Sequence, residues 1–433
     1  MRSAILGGAC VVALAAAPAF AQRDEPLQLA ALQRQALEAD ARAKEIELLG
    51  AQTDLRARNL EAERYPAVSV LGQAQLQSDV PTPPPFLPGG QPLFVPPKDT
   101  YDVSVRVDQR IYDPGSSARL ALAHADLAES QARVRSSLHA LRTEVNESFF
   151  AAALLQEELG ALQTSIDDLE ARLRETTARV REGAALAGEA AAVEAALLRQ
   201  RQQADELRAN RGAALARLSM LTSRPIGDDA VTSLPELTAA VSTARGALGT
   251  LRSRPEYAQF DRTRDRVARQ EDAAAAADLP QVSAFGRAGY GRPGLNFIND
   301  QWQVYALGGV QMQWKAWTWK SSTHEREALA LQKDIVDAEE RAFRSSIRRG
   351  IEADLAAIDR LQGTVAADER IITLRESIDR AARLRLQEGV TTAADYLDRR
   401  SEWLTAQFDR ARHRVELAHA QASLLTTLGL EVQ

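Results

Sequence analysis

The sequence predicts a mainly α protein with some β, built twice from one unit: a helix, a pair of alternating strands and a long helical hairpin. Three observations carry this. The segment Arg179-Val-Arg-Glu-Gly183 returns almost half the chain later as Arg385-Leu-Gln-Glu-Gly389, and upstream of each copy Tyr65-Pro-Ala-Val-Ser69 is echoed by Leu279-Pro-Gln-Val-Ser283. Such repetition sets the architecture before any local element is assigned. Charged residues reach 26% and aromatics only 5%, with Ala, Leu, Arg, Glu and Gln dominant, which is the composition of long helices. Four short stretches alternate apolar and polar residues with period two, the mark of strands with one buried face.

In chain order, residues 1–21 read as a secretory signal. Arg2 precedes an Ala/Val/Leu-rich stretch, and Ala19-Phe20-Ala21 is a small-x-small cleavage site, so the mature chain is expected to start near Gln22. Cys10 is the only cysteine. It lacks the preceding Leu of a lipidation site and would leave with the signal, so no disulfide or Cys metal site is expected. The first repeat is assigned to 22–222. Leu27 to Arg64 is helical, with Leu29, Leu32, Ala36, Ala39 and Ala43 at spacings of three and four. Pro66 ends it, and strands follow at about 66–77 and 101–112. The second is the sharper: Val103, Val105 and Val107 oppose Asp102, Ser104, Arg106 and Asp108. Between them, 78–99 is a Pro-rich loop. A helical hairpin spans about 117–222 and bends at Gly183. Residues 223–240, with Pro225 and Pro235, form an equatorial linker. The second repeat, 241–433, carries strands at about 280–291 and 301–314 and a hairpin at about 320–428 that bends at Gly389.

Several function classes are excluded. The net charge of −6 is spread without a basic block, so no nucleic acid is expected as partner. His124, His139, His324, His413 and His419 form no ligand cluster, and no phosphate-binding Gly loop, nucleophile elbow or His-Glu-x-x-His occurs. No catalytic residue, metal or cofactor is therefore assigned, and the chain is not read as an enzyme. No apolar run of the mature chain can form a membrane helix. A ten-residue strand with one apolar face does fit an outer-membrane barrel, where strands of about 9–11 residues cross the lipid. Four strands cannot close a barrel, so either the chain oligomerises or the strands form an ordinary soluble sheet. Tyr65, Tyr101, Tyr112, Trp302, Trp314, Trp317 and Trp319 gather at strand ends, as aromatics do at membrane–water boundaries.

Read together, Tyr65-Pro-Ala-Val-Ser69 entering the first strand, Val107-Asp-Gln-Arg-Ile-Tyr-Asp113 leaving the second, and Glu388-Gly-Val-Thr-Thr-Ala-Ala-Asp-Tyr-Leu-Asp398 at the second bend resemble the TolC-like outer-membrane efflux family over nearly the whole mature chain. The resemblance implies a homotrimer in a Gram-negative outer membrane. Three protomers would give four strands each to a twelve-stranded barrel above an α-helical periplasmic tunnel. A periplasmic adaptor (a membrane fusion protein) and an inner-membrane pump would dock below, in a tripartite efflux or type I secretion system. The second copy departs from the pattern by replacing Tyr112-Asp113 with Trp317-Thr318.

Asp395 and Asp398 stand at i and i+3 after the second bend. The resemblance implies that aspartates here line a narrow periplasmic aperture, where a threefold axis makes rings of carboxylates. The bland reading competes: Thr392-Ala-Ala-Asp395 spells a capping box at a helix start. Glu189, six residues after Gly183 as Asp395 is after Gly389, is the counterpart in the first repeat. Gly183, Ala184 and Ala185, with Gly389, Val390 and Thr391, form the tips. Each glycine can end a helix in a left-handed turn, and the resemblance implies adaptor docking there. Val390-Thr391-Thr392 carries no Arg or Lys for an interprotomer salt-bridge lock. The competing readings are a periplasmic coiled-coil adaptor and a structural protein without a channel. The first should show one hairpin within flanking β-domains, and the second no amphipathic strands.

Overall fold

The computed structural model describes residues 25–81, 94–248, 252–296 and 300–432. The expected signal 1–21, with Cys10, and most of the Pro-rich loop 78–99 lie outside them. The order is β1 (Leu27–Gln28), α1 (Leu29–Ala39), α2 (Ala41–Ala62), β2 (Ala67–Leu76), β3 (Asp99–Tyr112), α3 (Gly115–His139), α4 (Leu141–Arg181), α5 (Ala187–Thr222), β4 (Thr232–Ser233), α6 (Thr238–Ala247), α7 (Pro255–Ala276), β5 (Gln281–Arg292), β6 (Gln303–Gln313), α8 (Ser321–Gln387) and α9 (Ala393–Leu428).

Three local expectations are corrected. The first helix breaks at Asp40, whose carboxylate caps α2 by accepting the Arg42 amide at 2.8 Å. The run expected from Ser117 starts at Gly115 and tightens at Ala140, where φ −61° and ψ −27° are those of a 3₁₀ turn. The linker is not plain loop: β4 pairs in parallel with β1, Leu27 against Thr232. Gln156 of α4 fixes that pair, accepting from the Thr232 amide at 2.8 Å and donating to its carbonyl at 3.0 Å.

The helices stack in two tiers. Near the sheet, α3 packs on α2 and α7, and α7 on α8; beyond the middle, α4 packs on α5 and α9, and α9 on α8. The 67 residues of α8 run through both tiers, roughly 100 Å at 1.5 Å per residue. The largest core lies where the tiers meet, with Leu29, Phe149, Leu215, Leu218, Leu424 and Leu425 almost fully buried. A second, thinner core of Leu162, Ile166, Leu169, Val193, Leu197 and Leu404 joins α4, α5 and α9. Buried alanines such as Ala152, Ala153 and Ala204 let helix axes approach closely, which explains a stable coil with few aromatics.

The sheet is antiparallel, ordered β2-β3-β5-β6, with β2 and β6 at its edges. Paired residues share a face, so the register defines both sides. Val70, Val105, Ala288 and Ala306 form one row, and Gly72, Val103, Tyr290 and Val304 the next. This face is apolar and open: Val70 is 74% exposed and Val304 82%. The other face is polar and internally paired. Arg106 binds Asp108 at 2.8 Å; Arg287 binds Asp102 and donates to the Ser104 hydroxyl at 2.9 Å; the Tyr305 hydroxyl donates to Asp102. Ser104 is buried in this network rather than facing open water.

Glycines let the aromatics of the polar face lie flat on the sheet. Tyr305 pairs with Gly289, where a Cβ would stand 2.7 Å from its ring, and Phe285 pairs with Gly309, where a Cβ would stand 3.2 Å away. Gly289→Ala should therefore force the Tyr305 ring off the sheet at a cost of about 1–3 kcal/mol. In the Tyr305→Ala background the same change should cost less. Thermal unfolding of the detergent-solubilised variants tests this; additive losses would mean that ring and glycine do not compete for the same space.

Candidate functional site

The two helix tips are built alike. The last turn of α4 closes by Gly183 N to Val180 O at 3.1 Å and Ala184 N to Arg179 O at 2.8 Å. The last turn of α8 closes by Gly389 N to Leu386 O at 3.1 Å and Val390 N to Arg385 O at 2.9 Å. These are the paired bonds of a Schellman ending, and they require a left-handed residue: φ is +73° at Gly183 and +74° at Gly389. Beyond the glycines, Ala184 and Val390 are exposed, Ala185 and Thr391 are partly covered, and Leu186 is 73% exposed.

The returning helices then differ. Glu189 of α5 and Asp395 of α9 both occupy the third helical position. At α5 the preceding cap residue is Leu186, which makes no side-chain bond. At α9 a full capping box forms: the Asp395 amide donates to Thr392 Oγ1 at 3.2 Å, and the Asp395 carboxylate accepts from the Thr392 amide at 3.5 Å. The same carboxylate accepts from the hydroxyls of Thr392 at 2.8 Å and Thr391 at 3.2 Å. These hydroxyls, the Thr392 one first, hold the Asp395 carboxyl below the usual carboxylate range. Asp398, one turn on, is exposed and makes no hydrogen bond or ion pair among the described residues. It borders a shallow groove between α8 and α9 with Asp368, Arg375, Glu402 and Asp409, where Arg375 is already bound to Glu402.

Between the two aspartates, Tyr396 is fully buried. Its hydroxyl donates to Asp168 of α4 at 2.8 Å; Arg383 of α8 binds the other oxygen of Asp168 at 2.7 Å. Arg400 reaches Asp379 at 3.4 Å, and Arg172 lies over the Tyr396 ring at 5.0 Å. Three helices are thus tied to one side chain, which fixes the turn of α9 carrying Asp395 and Asp398. Desolvation, then the nearby Asp168 charge, pushes Tyr396 up to about 12. This network was not legible locally: Asp168 and Tyr396 lie in different repeats.

At the other pole, the aromatics form two groups. Tyr101 and Tyr290 stack on Trp302 at 5.9 and 5.2 Å, at the strand ends far from the helices. Tyr65, Tyr112, Trp314, Trp317 and Trp319 lie at the helix end of the sheet, all exposed. Trp314 donates to the Asp278 carbonyl at 3.1 Å. Among the described residues, no helix is long and apolar enough to cross a membrane, and no group of His, Cys, Asp or Glu could hold a metal ion.

Residues 17–224 match the family model described as outer membrane efflux protein. That segment, nearly half of the chain, is similar to the outer membrane efflux proteins. No curated protein matches the chain. Solved outer membrane proteins share the fold over 93–94% of the chain. The open-state MtrE outer membrane channel of Neisseria gonorrhoeae superimposes with a TM-score of 0.67 at 18% identity, over 94% of this chain and 89% of that one. The outer membrane protein VceC of Vibrio cholerae gives 0.67 at 15%, over 94% and 97%. The CmeC outer membrane channel of Campylobacter jejuni gives 0.66 at 16%, over 93% and 85%. At 15–18% identity, these outer membrane proteins share the fold of this chain.

Tyr396→Phe should remove one buried hydrogen bond to a charged group, costing about 1.5–3 kcal/mol. A folded pKa raised from 10.0 to about 12 contributes stability that is complete below pH 10 and lost as pH rises through 12. The parent's advantage over Tyr396→Phe should therefore shrink across that window. Urea unfolding at pH 8 and at alkaline pH reads both effects.

Proposed function

We propose that this chain is the outer-membrane exit duct of a tripartite efflux or type I secretion system. The observation that carries the reading is the sheet: an open apolar face and a charge-paired polar face, with both edge strands unpaired among the described residues. Unpaired strand edges and a bare apolar face on one sheet favour further strands at the edges and an apolar surrounding on that face. A homotrimer meets both needs by joining β6 of one copy to β2 of the next in a twelve-stranded barrel. A strand of ten residues is ~33 Å long and, tilted ~40°, spans an apolar band ~25 Å tall. The aromatics at the two sheet ends then mark the two membrane boundaries, and outer-membrane lipid covers the valines between.

In this reading the chain is two repeats, 22–222 and 241–433, joined at 223–240. The two hairpins give each protomer four helical strands of a periplasmic tunnel, and the tips at Gly183–Ala185 and Gly389–Thr391 receive the adaptor that links duct to pump. Asp398 and Asp395, with Glu189, ring the aperture. The two aspartates act differently. Asp395 is engaged in its capping box, whereas Asp398 is unpaired and faces the passage. A periplasmic adaptor or a structural coiled coil would leave the apolar sheet face in water.

The trimer is checked by native mass spectrometry of the detergent-extracted membrane fraction; a detergent-free periplasmic monomer would end this reading. Val105→Arg should cost about 2–4 kcal/mol near the membrane midplane, whereas Gln73→Arg, on the polar face beside Asp102, should be mild. Equal tolerance at both positions would argue against a lipid-facing valine row. In planar bilayers Asp398→Asn should lower cation selectivity and weaken block by a trivalent cation. Thr392→Ala should instead cost about 1 kcal/mol of stability and leave selectivity unchanged. Wild-type block in Asp398→Asn would remove Asp398 from the aperture.

A further inference from the structure

The segment Trp314-Lys-Ala-Trp-Thr-Trp-Lys320 joins β6 to α8 and is explained by neither the sheet nor the helices. It holds three of the five tryptophans. It also holds two lysines in a chain that otherwise uses arginine almost throughout; the remaining lysines are Lys44, Lys98 and Lys333. The choice is chemically pointed. Arginine suits paired sites within the protein, while lysine is a compact, hydrated charge on an apolar stem that can lie along a ring and reach a headgroup.

The geometry agrees. Trp314, Trp317 and Trp319 are 56%, 75% and 83% exposed, and Trp317 meets Trp319 edge to face at 5.7 Å. Lys315 and Lys320 are exposed and have no ion pair among the described residues, and the first turn of α8 contains no acid. The patch continues the apolar face of β6, just below Val310 and Met312. The equivalent exit in the first copy is closed internally: Arg119 and Arg110 bind Asp113 at 2.8 and 3.3 Å, and both also bind Glu63. One copy of the junction therefore satisfies its charges within the protein and the other leaves two cations bare among tryptophans.

We propose that Lys315 and Lys320, framed by Trp314, Trp317 and Trp319, bind anionic phospholipid headgroups of the leaflet nearest the helices. This rests on the membrane-duct reading above. A neighbouring copy is the poorer occupant: the start of its β2 would bring Arg64, a like charge, and Glu63, which already holds two arginines. Indole rings settle at the headgroup level, and each lysine near an anionic surface enriches such lipid about fivefold.

The test is tryptophan quenching by brominated lipid. The full mature chain, with Trp302→Phe and Trp403→Phe to silence the distant indoles, is reconstituted in phosphatidylcholine vesicles containing a minority of phosphatidylglycerol. Either lipid is brominated in turn. The expected result is quenching by brominated phosphatidylglycerol well above its share of the lipid, lost in Lys315→Gln/Lys320→Gln and kept in Lys315→Arg/Lys320→Arg. Quenching in proportion to lipid share in the parent, or a preference unchanged in the Gln variant, overturns the proposal while leaving the duct intact. Quenching by neither lipid overturns the membrane reading itself. Loss of the trimer by native mass spectrometry in the Gln variant would assign the lysines to the neighbouring copy and also overturn the proposal.

Discussion

A backbone that leaves water must pair every N–H and C=O, and in the proposed duct that requirement falls on four strands that cannot meet it alone. Among the described residues, the register leaves one edge of β2 and one edge of β6 without a partner while lining up Val70, Val105, Ala288 and Ala306 as an apolar surface. The remaining architecture follows from that arrangement. Repeating the unit within one chain supplies two strand pairs, and in the proposed homotrimer repeating the chain would supply the other eight strands of a barrel. Because each strand pair enters and leaves through a helix, the helices hang from one end of the sheet, where the proposed trimer would make them the wall of a tunnel. The Gly289–Tyr305 and Gly309–Phe285 pairings serve the same arrangement: they lay bulky rings along the wall and keep the enclosed space open.

Much of this was legible in the sequence because it depends on local, periodic signals. Alternation in Tyr101–Tyr112 fixed which side each residue of β3 takes, since a period of two leaves no other choice. The tip glycines were legible because a left-handed helix ending is a backbone demand that few other residues meet. Asp40 was equally readable, as an N-cap residue inside an apparently continuous helix, but the apolar spacing from Leu29 to Ala43 masked the break. The two-residue β1–β4 pair gave no periodic signal at all; it exists because Gln156, on another element, holds Thr232 in place. The Tyr396 network was hidden for the same reason. Its members Asp168, Arg383 and Arg400 are surface-like charges in the sequence, and only the packing of α4, α8 and α9 gathers them around the buried Tyr396.

The first and second copies share geometry but not chemistry, and the differences are local to their ends. Both tips close with the same pair of backbone bonds, yet only the second has the side-chain cap of Thr392 and Asp395. Both strand pairs return to a helix, yet the first exit is an ion network around Asp113 and the second a run of tryptophans and lysines. Duplication fixes length, register and bend, because these are set by backbone and core. The exposed ends are free to diverge, and that is where two copies of one unit can take on separate partners.

The distribution of paired and unpaired charge locates selectivity. Along the polar face of the sheet, Arg106 is matched by Asp108 and Arg287 by Asp102, and near the outer rim Arg292 by Asp99 at 3.1 Å and Asp300 at 2.8 Å. Matched pairs at contact distance project little field into a wide aqueous lumen, where water and salt screen what remains within about a Debye length. The proposed duct, lined in this way, would discriminate weakly along its barrel. At the opposite end Asp398 has no counter-ion among the described residues, and the two cations of its groove, Arg375 and Arg399, are both held by Glu402. Where three copies of such a carboxylate converge on one axis, their fields add rather than cancel, and low-dielectric helix walls concentrate them. In the proposed duct, the aperture is therefore the place where the charge arrangement would favour cations, and the buried Tyr396, tying α9 to α4, would hold Asp398 there.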